Sequence, residues 1–168
     1  MTDDAVAGRT ADRVAAIIIY TGFSLLVLWA GMKLINYVLV TRFYEGYIVG
    51  WEIGLRQYNS KGGNWPHFSG GNHVEYMNSL VRLMQEKGTL PPLSNTGRRY
   101  VYHLKRLRSP GEYIFLLCFP DRIVLYGMSD KTFMRMDKLI DGESDCERGL
   151  FTGRPSKDGL TYTGVLRL

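Results

Sequence analysis

The sequence predicts an α+β chain in which a long N-terminal membrane-spanning helix continues as the spine of a small antiparallel-sheet domain. Three observations carry this. No charged residue occurs from Val14 to Met32, and after Lys33 the apolar run continues to Val40. Beyond it, apolar side chains recur every three or four residues as far as Tyr58. From Tyr100 onward the pattern changes to alternation and short apolar runs. The expected organisation is an N-terminal segment 1–13, a membrane span 14–40 and a globular domain 41–168.

The first element follows from the length of the charge-free run. About 20 predominantly apolar residues cross a bilayer as a helix. A secretory signal peptide has a shorter apolar core, usually about 7–15 residues, that ends at a small-residue cleavage site. This run is longer and leads into a helical pattern, which favours a retained anchor. Lys33 lies near the end of the span, where a long side chain snorkels to the interface, and Trp29 and Tyr37 suit the aromatic belt. Arg9 and Arg13 precede the span, and Lys33 and Arg42 lie at its far end, so the positive-inside rule is nearly tied. With Lys33 counted inside the span, it leans toward a cytoplasmic N-terminus. The expected location is therefore a single pass of the inner (cytoplasmic) membrane, with an exported C-terminal domain.

The second element is the spine. Tyr44, Ile48, Trp51, Leu55 and Tyr58 form a helical stripe, while Arg42, Glu45, Glu52, Arg56 and Gln57 fill other positions. Gly46, Gly50 and Gly54 recur every four residues, a spacing that lets helix backbones approach closely. One helix is expected from about residue 13 to 58, roughly 70 Å long at about 1.5 Å per residue. Asn59–Gly63, Pro66 and Gly70–Gly71 break it. A second helix is expected from Asn72, with Glu75 in a capping-box-like position, an apolar stripe of Val74, Met77, Val81 and Met84, and Gly88 as its stop.

The sheet follows. Arg99–Leu107 alternates, Tyr113–Phe119 reads as a buried strand, Pro120–Asp121 as a turn and Arg122–Tyr126 as the returning strand. Thr132–Met136 reads as a fourth short strand, Asp137–Thr152 as a long loop and Leu160–Leu168 as a last strand.

Composition narrows the chemistry. The 168 residues carry 21 Lys plus Arg against 16 Asp plus Glu, and 45% are hydrophobic. A folded chain is implied rather than a disordered or collagen-like one. Residues 41–168 hold all of the net +5. Basic side chains cluster at Arg98, Arg99, Lys105, Arg106 and Arg108, and acidic ones at Asp137, Asp141, Glu143, Asp145 and Glu147. Two cysteines without a CxxC pair make no zinc site. His67 and His73 flank a Gly-rich loop and read as loop polar residues, and Ser69 lies outside any G-x-S-x-G elbow. No Walker loop or HExxH motif occurs, so no enzyme is expected. Arg98–Arg108 interleaves cations with Tyr100, Tyr102 and His103. These tyrosines are more simply the inward face of a strand, so a nucleic-acid partner is not expected. Asp141, Glu143 and Asp145 offer hard oxygen ligands beside Gly142 and are the candidate calcium donors. Cys118 and Cys146 either remain free or, in an exported domain, form a disulfide that constrains the chain by about 3–4 kcal/mol.

Three local patterns, in this order, resemble type IV pilins and type II secretion pseudopilins. Gly22-Phe23-Ser24-Leu25-Leu26-Val27-Leu28 looks like the family's G-F-T-L-I-E-L processing motif, with Gly22 and Phe23 flanking the cut. Tyr58–Pro66 is similar to the stretch where a pseudopilin spine ends in Tyr and an aromatic-Pro pair follows a polar turn. Gly97–Tyr102 looks like the G-x-x-Y-x-Y that opens the family's first strand. The family's motif Glu falls on Val27, and the residues before Gly22 are apolar rather than a short basic leader. An uncleaved pilin-like protein is the corresponding expectation.

The resemblance implies a non-catalytic, membrane-anchored subunit of a type II secretion or type IV pilus-type assembly. Its helix would pack on other pilin-like subunits or on further copies of itself. It also implies calcium in the C-terminal acidic loop and a disulfide stapling that loop to the sheet. The alternative is a single-pass envelope protein whose exported domain binds a membrane complex without polymerising.

Overall fold

The computed structural model of the chain describes residues 3–142, 145–157 and 159–168, with side-chain surroundings from Asp12 onward. Helical backbone occupies Asp3–Phe43 (α1), a single π turn Tyr44–Ile48 and Val49–Ser60 (α2). Then follow helix α3 (His73–Glu86), strands β1 (Val101–Leu104), β2 (Glu112–Cys118) and β3 (Arg122–Met128), helix α4 (Asp130–Asp141), and strands β4 (Phe151–Pro155) and β5 (Tyr162–Arg167). The chain divides into two units, Met1–Asn36 and Tyr37–Leu168.

The first unit is helix alone. Its apolar side chains are open to the surroundings: Ile17, Ile18, Ile19, Tyr20, Phe23 and Leu28 are all more than half exposed. Lys33 Nζ lies 5.3 Å from the centroid of the Trp29 ring. By length and composition this helix suffices to cross a membrane. Gly22 and Phe23 lie mid-helix; a Cβ on Gly22 would meet nothing within 4 Å, and Phe23 is 66% exposed.

In the second unit the five strands form one antiparallel sheet in the order β1-β2-β3-β5-β4. The helical segment beginning at Tyr37 buries Val40, Phe43, Tyr47, Ile48, Trp51, Leu55 and Tyr58 in the core. Each such burial contributes about 1.5–3 kcal/mol. Phe43 and Tyr47 both meet Tyr102 at 4.8 Å between ring centroids. Tyr44, expected on the stripe, is only half-buried, and Phe43 and Tyr47 take its place. The π turn is the cause. An extra residue in one turn rotates the helix face, and the stripe's successive steps of four, Val40 to Tyr44 to Ile48, fall on that turn. Two of the three spaced glycines serve contacts inside this unit. A Cβ on Gly50 would lie 3.2 Å from Pro92, and one on Gly54 would lie 3.3 Å from Met84 of α3.

Two expected elements differ. Thr132–Met136, expected as a strand, lies inside α4, and the expected loop from Asp137 to Thr152 contains the end of that helix and the start of β4. The Ser129 side chain caps the first turn by accepting from the Thr132 N–H. Gly142, in the left-handed region at φ 82°, closes the last turn. Phe133 and Met136 bury one face of the helix against the sheet. Five residues of mixed polarity cannot separate a period of two from one of 3.6; the cap and the stop residue decide it. Phe133 lies 5.1 Å from Phe151 and from Tyr162. Gly153 and Gly164, paired across β4 and β5, leave room for these rings.

Both edges of the sheet are closed. On β1, the Asn95 side chain accepts from His103 N–H at 2.8 Å and donates to His103 C=O at 2.7 Å, as a strand would. The Ser94 and Thr96 hydroxyls donate to Val101 C=O. On β4, Phe151 N–H donates to Asp141 Oδ2 at 2.9 Å, Gly153 N–H to Cys146 C=O at 2.9 Å, and Pro155 has no N–H to offer. Edges treated this way do not recruit further strands.

Candidate functional site

Strands of an antiparallel sheet usually cover one face and wet the other. Here β2 and β3 are apolar on both faces. Ile114, Leu116, Ile123 and Leu125 point into the helix-covered core, and Leu117 and Val124 point to the opposite side. That outer side forms a groove of about 610 Å³, within the common range of ligand sites, about 300–1,000 Å³. Leu117, Val124 and Val165 make its floor, Phe68 and Phe119 stand on one flank, and Cys146 and Glu147 belong to its lining. Phe68 and Phe119 meet edge to face at 5.3 Å.

Two guanidinium groups line the groove, Arg122 on β3 and Arg154 on β4. Arg122 lies 4.9 Å from the Phe119 ring centroid and pairs with Asp121 at 3.0 Å. Burial pushes the Tyr126 hydroxyl above its ordinary pKa, and the nearby Arg154 offsets part of this. An apolar floor bordered by cations suits a ligand or chain segment that is apolar along its length and bears carboxylate or phosphate groups.

Two of the three expected metal donors, Asp141 and Asp145, lie among the described residues. Asp141 accepts from Leu150 N–H at 2.8 Å and Phe151 N–H at 2.9 Å, so both its oxygens anchor the entry to β4. Asp145 accepts from Glu147 N–H at 3.1 Å, and Glu143 lies outside the described residues. Among the described residues no group of three His, Cys, Asp or Glu side chains is placed to hold a metal ion. Asp137 is fully buried, and neither carboxylate oxygen has a hydrogen-bond partner among the described residues. Burial raises its pKa, and Asp141 and Asp145 push the same way; the nearby Asp145 N–H, outside hydrogen-bonding geometry, offsets part of this.

Cys118 and Cys146 are both free, the first buried and the second half-buried. Leu117 lines the outer groove together with Cys146, and alternation sends the Cys118 side chain to the other face. Burial raises the Cys118 thiol pKa strongly. Ile48, Trp51, Leu55 and Tyr58 are enclosed in the core of their own unit.

The basic run is divided. Arg106 makes a nearly buried ion pair with Glu112 at 2.9 Å. Glu112 also accepts from the Ser129 and Thr132 hydroxyls, both at 2.7 Å, so this pair clamps the start of α4 to β2. Arg99 donates to Pro91 C=O at 2.6 Å. Tyr100 is buried, and Tyr102 packs on Phe43 and Tyr47. His103 stacks on Tyr113 at 4.4 Å, and His73 packs edge-on to Phe68 and Tyr126.

Sequence reasoning missed the groove. Its signal was continuous apolarity, YIFLLCF followed by RIVLY, which marks strands covered on both faces. Arg154 and Phe68 carried no signal, because only the fold brings them beside those strands. No family model matches the chain, and neither a curated protein nor a solved structure matches it.

Proposed function

We propose that this chain is a non-catalytic, membrane-anchored subunit of a pilin-like or pseudopilin-like envelope assembly. Its N-terminal helix crosses the cytoplasmic membrane once, and its domain docks outside the cytoplasm through the outer face of the sheet. The observation that carries the reading is α1, whose apolar window has no part buried within the protein. Leaving that surface in water would be costly, and a bilayer removes the cost. The non-catalytic part is supported by the roles of the polar groups: Glu112 and Arg106 clamp α4, Asp141 anchors β4, and His73 and His103 pack on rings. The pilin-like part rests on the sequence resemblance.

One observation favours the second reading, an envelope protein that binds a membrane complex without polymerising. The sheet edges are closed and the spine's large side chains are occupied within their own domain, leaving the outer sheet face for partners. Cross-linking separates the two. The protein is expressed in its native host with a photo-cross-linking residue at Thr163, in the groove, and membranes are extracted with detergent. A ladder of adducts with itself or with pilin-like subunits supports the assembly reading, and one discrete heteromeric adduct supports the second. Recovery of the full chain in the soluble fraction without detergent defeats both.

A further inference from the structure

One row of directly opposed residues crosses the outer face of the sheet. Leu117 pairs with Val124, Val124 with Val165, and Val165 with Thr152, so an apolar band runs over β2, β3 and β5 and ends on β4. Cations stand on both sides of this band. Two residues toward one end of the strands, Arg122 lies directly opposite Arg167. Two residues toward the other end, Arg154 lies opposite Thr163. Strand alternation puts all three arginines on the groove side, and all three are exposed.

Like charges directly opposite one another on neighbouring strands are unfavourable. Arg122 is offset by Asp121 at 3.0 Å, whereas neither Arg154 nor Arg167 has an ion pair among the described residues. Set against Asp121 and the groove-lining Glu147, three arginines leave this face with an excess of positive charge.

The spacing defines what fits. Thr163 and Arg167 are four residues apart on β5, so the arginine pair and Arg154 stand about 13 Å apart along the strands. From β2 to β4 the face spans three interstrand steps, about 14 Å, enough for one helix of about 10–12 Å diameter. A strand has no edge to join, because both edges are already satisfied. A sheet that is apolar on both faces takes helices on both. On a helix laid along the strands, acidic residues seven or eight positions apart share one face and stand about 10–12 Å apart. The residues three and four positions after the first acid then fall on the apolar band.

We infer that the outer face receives an amphipathic helix of another protein. Two of its carboxylates, seven or eight residues apart, pair with Arg122–Arg167 and with Arg154, and apolar side chains between them sit on Val124 and Val165. The inference rests on the reading that the domain docks through this face, and the charge and spacing of the arginines select the occupant. A second copy does not offer such a helix. This chain has the acid spacing at Asp4–Asp12, Glu45–Glu52, Asp130–Asp137 and Asp137–Asp145. Ile48 and Phe133, three positions after Glu45 and Asp130, are buried in their own core. Asp137–Asp145 runs past the end of α4. Asp4 and Asp12 precede the apolar span, across the bilayer from the domain when α1 crosses it.

The test uses the full chain in its native host, with a photo-cross-linking residue at Thr163 or, for comparison, at exposed Ile53 of α2. Adducts are mapped by mass spectrometry, and protection of buried Cys118 from alkylation shows that each variant is folded. The expected adduct at Thr163 maps to a helical segment with the acid pair. Its yield should fall about tenfold in Arg154→Glu, Arg167→Glu. It should hold in Arg82→Glu, Lys87→Glu, which changes net charge equally on α3. A yield indifferent to the groove variant, an equal fall in the α3 variant, or an adduct with lipid or with a segment lacking the acid pair overturns the inference and leaves docking through this face intact. No adduct at Thr163, whatever Ile53 captures, defeats docking through this face and the inference together.

Discussion

Replacing Asp137 with Asn should stabilise the protein at neutral pH. The carboxylate is buried, neither oxygen has a hydrogen-bond partner among the described residues, and it lies toward the C-terminal end of α4, where the helix dipole disfavours negative charge. Asp141 and Asp145 add like-charge repulsion. An unsatisfied buried polar group costs about 1–3 kcal/mol, and more when charged. Asn keeps the shape and some of the polar cost but loses the charge, so the gain at pH 7 should be about 1–3 kcal/mol. For a domain of this size that is roughly 3–10 °C in Tm. The sign with pH follows from the raised carboxyl pKa in the folded state. Between the unfolded and folded pKa values the folded chain holds more protons, so Asp137's contribution is most favourable below the ordinary carboxylate pKa. It is lost as pH rises through the folded value, and the variant lacks this loss. Urea melts of full chain in detergent, compared from pH 4 to pH 8, read the difference. The two stabilities should converge in acid and separate toward neutrality. Parallel curves, or an Asn variant less stable at pH 7, would refute the reasoning.

Asn95→Ala removes two hydrogen bonds from the outer edge of β1; it should cost about 1–3 kcal/mol in urea melts and increase self-association in sedimentation. Gly153→Ala should destabilise by about 1–3 kcal/mol, since the added Cβ would meet the Phe133 ring and lie 2.8 Å from Thr163 C=O. Asp141→Ala leaves the Leu150 and Phe151 amides without their carboxylate. A loss of about 2–4 kcal/mol is expected, equal in calcium and in chelator, whereas a loss confined to calcium-containing buffer would return Asp141 to a metal site. In the native protein an alkylating reagent should modify Cys146 and spare Cys118, as mass spectrometry of the digested chain would show.

The legible parts of this protein were those whose physics is local. A charge-free run predicts an exposed apolar helix because its length and lack of polarity need no partner to interpret. Apolar runs bounded by turn residues predicted β2, β3 and β5, and a glycine stop ended α3 near Gly88. Strand and helix could not be separated at Thr132–Met136, where the Ser129 cap and the contact of Phe133 with Phe151 decide for helix. The stripe on the spine was visible, but its exact face depended on the π turn, which exchanged Tyr44 for Phe43 and Tyr47.

By itself the sequence determined the uncovered apolar helix, the amphipathic spine, α3 and strands β1, β2, β3 and β5, because each follows from neighbours along the chain. Tertiary structure decided what each polar group does. Asp141 became an edge anchor because β4 returns beside the end of α4. Arg106 was drawn from a basic run into a clamp because Glu112 and the start of α4 meet there. The two cysteines parted because strand alternation sends Cys118 to one face while Cys146 lines the groove on the other. The groove itself joins Phe68, Arg122 and Arg154, residues far apart in sequence that only the pairing order of the strands brings together.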